Sequence, residues 1–303
     1  MKRLLLIIIV LTGLTACTEK AIPVTPTRTL VPVAPTRTPL PAATASPLPP
    51  TPTLAPDAWM GHPVIPVFSD TARIIYERGL EMGRDPRHFS KVGDCESTTG
   101  WYLAEFDGDP PTYRLGEYAY LQTTIDYYAG SFMRESLAVR RGANTSSLLT
   151  TLWADPVQCK DGESMLACEY RIHNPSIVFI AVGSNDVVIV DSFEDQMRRI
   201  LEYTISEGIV PVLSTKADNA EGGHRINSII ARLAYEYNIP LWNFWLAVQP
   251  LPNHGLSPDG VHLTFAGNLF DNPANMEDAW PWRNLTALQT LDAVRIGLES
   301  TAP

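Results

Sequence analysis

Three short blocks hold the residues that can do chemistry. Gly93-Asp94-Cys95 ends an apolar run, Gly183-Ser184-Asn185-Asp186 ends another, and Asp259-Gly260-Val261-His262 follows a third. Acyl transfer needs an activated attacking atom, a base held in one tautomer, and donors aimed at the developing oxyanion. Asp259 and His262, three apart, can place a carboxylate on one imidazole nitrogen and leave the other for a nucleophile. Cys95 stands in the attacking position. Oxyanion donors are available from the backbone N–H of Cys95, the N–H of Gly142 in Arg141-Gly142-Ala143-Asn144, and the side-chain amide of Asn185. A thiol is a stronger nucleophile than a hydroxyl, and its ordinary pKa of about 8.5 lets a neighbouring histidine take its proton.

These residues need a frame. Five short apolar runs, at 89–93, 137–140, 177–182, 209–213 and 239–244, read as buried parallel strands. Helical patterns cover 70–82, 117–128, 193–206, 226–237 and 285–298, with apolar residues in 193–206 recurring every three or four positions. Strands alternating with helices predict an α/β fold with helices on both faces of a parallel sheet. Ligands in such sheets bind beyond the carboxyl ends of the strands. Cys95, Gly142, Asn185 and His262 all fall there, on four separate loops.

The set resembles the SGNH hydrolases, the GDSL esterase and lipase superfamily, over most of 87–270. The matching residues are Gly93-Asp94-Cys95, Gly142, Gly183-Ser184-Asn185-Asp186 and Asp259-Gly260-Val261-His262. The resemblance implies a three-layer α/β/α sandwich with a five-stranded parallel sheet, flavodoxin-like, and ester hydrolysis without a cofactor. In the family a serine attacks, so the chain departs at Cys95. Three readings follow: a Cys95-His262-Asp259 hydrolase, a domain that keeps the pocket and binds a ligand such as a glycan, or a shifted turn in which Ser97 attacks.

Other polar residues have two readings each. Lys216, Asp218 and Asn219 can contact substrate or be solvated loop residues, and Trp242 and Trp245 can form a sugar-stacking wall or pack in the core. His254, in Asn253-His254-Gly255, is expected to shape a turn. There is no His-Glu-x-x-His, Cys-x-x-Cys, Walker loop or Gly-x-Gly-x-x-Gly, so no metal or nucleotide site is expected. A Gly-x-Ser-x-Gly elbow is also missing, which speaks against the α/β-hydrolase fold.

The N-terminal part places the domain. Met1-Lys2-Arg3 and the apolar run from Leu4 to Leu14 form a leader too short for a permanent span. Leu14-Thr15-Ala16-Cys17 resembles a bacterial lipobox, which implies lipidation of Cys17, export, and anchorage to the outer face of a membrane. Residues 18–57 are rich in Pro and Thr, with Pro-Thr-Arg-Thr at Pro26 and again at Pro35. Such a segment cannot bury enough surface to fold, and as polyproline II it reaches on the order of 120 Å. The expected organisation is a leader at 1–17, a tether at 18–57 and one hydrolase-like domain at 58–303.

The first 57 residues carry five basic and two acidic side chains, so the remainder holds 18 Lys+Arg against 31 Asp+Glu, a net of −13. That excludes nucleic acid as an expected partner and suits a neutral small-molecule or glycan ester. Of the four cysteines, Cys159 and Cys168 are close enough in a polar loop to form a disulfide outside the cytoplasm, or else are two separate thiols. Cys95 is left without a partner.

Overall fold

The computed structural model describes residues 55–300. The leader, Cys17 and nearly all of the tether lie outside the described residues. Four strands make one parallel sheet: β1 (Asp85–Gly93), β2 (Pro175–Ala181), β3 (Val210–Ser214) and β4 (Leu241–Trp242), hydrogen-bonded in that order. Every residue of β2 and β3 is buried, as expected for strands covered on both faces.

Eight α-helices surround the sheet: α1 (Asp70–Glu81), α2 (Gln122–Tyr127), α3 (Thr145–Leu148), α4 (Met165–His173), α5 (Val190–Ser206), α6 (Arg225–Tyr237), α7 (Phe244–Val248) and α8 (Ala279–Glu299). Helix α8 packs against α1 and α2, while α3 packs on α4 and α5, and α5 on α6. The result is the three-layer α/β/α sandwich. Ser69 starts α1 by accepting a hydrogen bond from the Ala72 N–H at 3.2 Å, a serine N-cap.

The expected fifth strand is reduced to one parallel bridge, between Gly93 and Val139. Two ladder bonds remain there, from the Gly93 N–H to the Ala138 carbonyl and from the Arg140 N–H to the Gly93 carbonyl. The reason lies in competing acceptors. The Leu137 N–H donates to the buried Glu169 carboxylate at 2.8 Å and the Ala138 N–H to the Ser136 hydroxyl at 3.1 Å, so neither continues a ladder. The sheet therefore has four strands plus a bridging segment on the outer side of β1. That segment precedes β2 in the chain, so the spatial order is that of a doubly wound sheet with its reversal at β1.

The other expectations shift at their ends. The pattern at 117–128 divides into a 3₁₀ turn, Gly116–Leu121, and then α2. Helix α8 begins six residues earlier than 285–298 predicted, with Pro281 in its first turn, where no intrahelical donor is needed. Helix α4 was not expected, since that stretch reads as a polar loop. It contains Cys168, which is fully buried and bonded to Cys159 with the Cα atoms 5.2 Å apart.

Candidate active site

Cys95 opens a 3₁₀ turn, Cys95–Ser97, directly after β1. The turn folds back so tightly that a Cβ on Gly93 would lie 2.2 Å from the Ser97 hydroxyl and 2.5 Å from the Ala181 carbonyl oxygen of β2. Only glycine fits there. The same packing buries Ser97 almost completely, and its hydroxyl has no hydrogen-bond partner among the described residues. Ser97 is a packing residue, and the shifted-turn reading is set aside.

The three motif loops are tied together by their own side chains. One oxygen of Asp94 accepts from the Glu96 N–H at 3.1 Å, and the other from the Asn185 amide at 3.3 Å. The Asn185 amide also donates to the Ala143 carbonyl at 3.1 Å. Asp186 accepts from the Thr145 N–H at 3.0 Å and the Thr145 hydroxyl at 2.6 Å. Asn144 and Ser147 cap α3 reciprocally. The loop carrying Gly142 is thereby fixed against the loop carrying Asn185. Gly142 itself has a φ of +76°, and its N–H has no hydrogen-bond partner among the described residues.

On the fourth loop, Asp259 Oδ1 accepts from the N–H groups of Val261 and His262, both at 3.0 Å. Its Oδ2 lies 2.7 Å from His262 Nδ1. A short antiparallel bridge between Leu256 and Leu263 closes the base of this loop. The remaining ring nitrogen, Nε2, lies 3.9 Å from Cys95 Sγ. Cys95, His262 and Asp259 are thus brought together, with His262 between the other two. Gly142, Asn185 and the Cys95 backbone border the same cleft, of about 520 Å³. Both amide hydrogens of Asn185 have protein acceptors, so of the three expected oxyanion donors the N–H groups of Gly142 and Cys95 stand free among the described residues.

Electrostatics set the protonation states. Burial pushes the Cys95 thiol up to about 11, helped by the negative charges of Asp94 and Glu96. The backbone donors on Val261 and His262 and the imidazole itself hold Asp259 at about 2. The hydrogen bond to Asp259 raises the His262 pKa. Burial also raises Asp94 to about 6 and Glu96 to about 7. At neutral pH the site holds a protonated thiol beside a basic imidazole, which is the resting arrangement of a serine-type pair rather than a stored thiolate.

Several secondary expectations change. Lys216 and Asp218 neither meet solvent nor border the cleft: Lys216 is buried and donates to Asp218 Oδ1 and Glu221, both at 2.6 Å. Asp218 in turn accepts from Ser184 at 2.6 Å, which supports the Asn185 loop from below. Asn219 accepts from the His224 N–H at 2.7 Å and caps its own loop. Trp242 is fully buried, and Trp245 stacks edge-on against Trp59 and His224, so neither forms a wall of the cleft. His254 takes a left-handed conformation in its turn.

The aromatic wall is elsewhere. Trp101, Phe265 and Trp280 border the cleft with Arg141 and Leu263. Trp101 meets Phe265 edge-to-face with ring centroids 4.9 Å apart. No short motif marks these residues, and only the positions of Trp101 and Phe265 near the Cys95 and His262 blocks could have pointed to them. Arg283, also unforeseen, lies buried under the nucleophile turn, its Nε donating to the Glu96 carbonyl at 3.2 Å. Its guanidinium lies 4.9 to 5.9 Å from the ring centroids of Tyr102, Phe244, Trp242 and Trp280.

Neither a family model nor a curated protein matches the chain. Solved structures do. An acetylxylan esterase from Geobacillus stearothermophilus is 16% identical with a TM-score of 0.43, over 67% of this chain and 93% of that one. A psychrotrophic esterase from a Pseudoalteromonas species is 14% identical with a TM-score of 0.41, over 68% and 97%. A GDSL-like lipase from Bacteroides thetaiotaomicron is 16% identical with a TM-score of 0.40, over 73% and 97%. At such distances the chemistry has to be read from this chain's own residues.

Proposed function

We propose that this protein is an ester hydrolase that works through Cys95, His262 and Asp259. The observation that carries the reading is the continuous line at the cleft floor, with Sγ 3.9 Å from Nε2 and Nδ1 2.7 Å from Asp259. As the sulfur attacks the ester carbon, the thiol proton passes to Nε2, because the thiol is not ionised beforehand. The oxyanion is met by the Gly142 N–H, with the Cys95 N–H and the Asn185 amide as further donors once the amide turns from Ala143. Collapse breaks the carbon–oxygen bond, and the leaving alkoxide takes the proton back from His262. Water, deprotonated by the same imidazole, then splits the thioester, releasing the acid and restoring the thiol.

The substrate proposed is a neutral small-molecule or glycan ester, with O-acyl groups on a glycan as the specific form. The aromatic faces of Trp101 and Phe265 in a negatively charged domain support it. The leader, the Cys17 motif and the Pro/Thr tether support a lipoprotein held on the outer face of a bacterial membrane. A second reading, a ligand-binding surface protein without turnover, is favoured by the high thiol pKa and by the engaged Asn185 amide.

One experiment separates them. The chain is incubated with an activated acetyl ester under reducing conditions, and intact mass and turnover are followed. An acyl adduct that maps to Cys95 and disappears in Cys95→Ala supports the hydrolase. No adduct and no turnover, together with activity gained in Cys95→Ser, rejects it in favour of a pocket silenced by sulfur.

A further inference from the structure

The residue after the nucleophile is a carboxylic acid in an unusual setting. Glu96 is only 7% exposed, and its Oε1 is buried without a hydrogen-bond partner. Arg283, the nearest buried cation, donates to the Glu96 backbone carbonyl and not to the carboxyl group. No ion pair reaches Glu96 among the described residues. A buried acid left without partners costs free energy, and such a group in a folded protein demands an explanation.

Its position supplies one. Glu96 borders the same cleft as Cys95 and His262, a cleft that the half-exposed rings of Trp101 and Phe265 also line. An acceptor beside flat apolar faces suits a ligand with both C–H and O–H groups. Arg141, on the same cleft, speaks against a cationic ligand. Glu96 shares the cleft with His262, the group that protonates a leaving alcohol in the proposed reaction.

We propose that Glu96 is a specificity residue whose carboxyl group accepts a hydrogen bond from a free hydroxyl on the alcohol part of the ester, so that the cleft selects polyol esters over alkyl esters. The inference rests on the hydrolase reading for its catalytic form, but the selection is also a property of binding. Removing one buried polar partner from a matched pair leaves the other unsatisfied, and that penalty is how a site rejects an analogue lacking the hydroxyl.

The test uses the full chain in mild detergent and two esters of equal length, 1-O-acetylglycerol and propyl acetate, with acetylcholine as a third probe. The ratio of kcat/KM for 1-O-acetylglycerol over propyl acetate is expected to exceed about tenfold. It should fall at least about tenfold in Glu96→Leu, with part of it kept in Glu96→Gln, whose amide oxygen still accepts. Thermal unfolding confirms that each variant is folded, and Glu96→Gln alone suffices if Glu96→Leu is not. A ratio unchanged in both variants overturns the proposal, as does an equal loss on both esters in Glu96→Gln, which would put Glu96 in the chemistry. Preference for acetylcholine that depends on Glu96 overturns the hydroxyl assignment. Saturation-transfer NMR on the Cys95→Ala chain reads the same selection without turnover. Selective binding with no turnover by the unaltered chain would reject the hydrolase and keep Glu96, whereas turnover without selection would do the reverse.

Discussion

The protonation state of Cys95 is the sharpest consequence of the structure. The thiol is half-buried, faces the charges of Asp94 and Glu96, and sits at about 11. The ordinary value is 9.0, so the rise of about 2 lowers the thiolate fraction roughly 100-fold near pH 7.5. Alkylation by iodoacetamide follows the thiolate. Cys95 in the folded chain should therefore react on the order of 100 times more slowly at pH 7.5 than the same cysteine in the unfolded chain. Its rate should climb tenfold per pH unit through pH 9 without levelling. Peptide mapping by mass spectrometry reads Cys95 separately from Cys17, and Cys159 and Cys168 are bonded to each other. Asp94→Asn should accelerate the reaction by removing one of the charges that oppose the thiolate. A rate that stays flat between pH 6 and 8 would mean a thiolate–imidazolium pair already exists at rest, and the general-base account of the site would be wrong.

Two further predictions use other groups. Asp259→Asn removes the acceptor on Nδ1, so His262 loses the influence that raises its pKa and the tautomer is no longer set. Turnover should fall by about 10³–10⁴-fold, and the residual pH–rate profile should have its rising limb at lower pH, with an unshifted limb counting against the assignment. Glu96, ordinarily at 4.5, stands at about 7 when folded, so the native state holds its proton more tightly than the unfolded chain. Its contribution to stability is complete below about pH 4.5 and is lost as pH rises to about 7. The melting temperature of the unaltered chain should drop across that window, and Glu96→Gln should flatten the drop. Parallel curves for the two proteins would show that Glu96 is not buried as an acid.

Much of this was legible because the informative residues are backbone-determined. Gly93 is required by the close return of the turn, and the Asp259-His262 spacing by a turn in which one carboxylate takes two N–H groups and the ring. Local rules carry such features. Periodicity also found three of the four regular strands, and it anticipated the fourth in a longer form. The strand expected at 137–140 shrinks to a single bridge because its donors are taken by the side chains of Glu169 and Ser136, distant or irregular partners that no window of sequence displays. The same holds for the cleft wall. Trp242 and Trp245 looked as eligible as Trp101, and only the folded chain separates a tryptophan stacked over Arg283 from one facing solvent.

The polar interior explains why a cysteine can stand here at all. Asp94 is buried directly beneath the nucleophile, Glu96 beside it, and Asp218 one loop further down, while Arg283 and Lys216 are the buried cations of the same region. Lys216 is committed to Asp218 and Glu221, and Arg283, whose charge only partly offsets the rise in the Asp94 and Glu96 pKa values, donates to a backbone carbonyl and to neither carboxyl group. The field at the nucleophile is accordingly negative. Such a field disfavours a resting thiolate, the reverse of what a dedicated thiolate enzyme arranges. It suits a group that keeps its proton until it attacks. Sulfur here is held in the electrostatics of a hydroxyl, and in the proposed reaction the proton on Cys95 leaves in the same step that forms the bond to carbon.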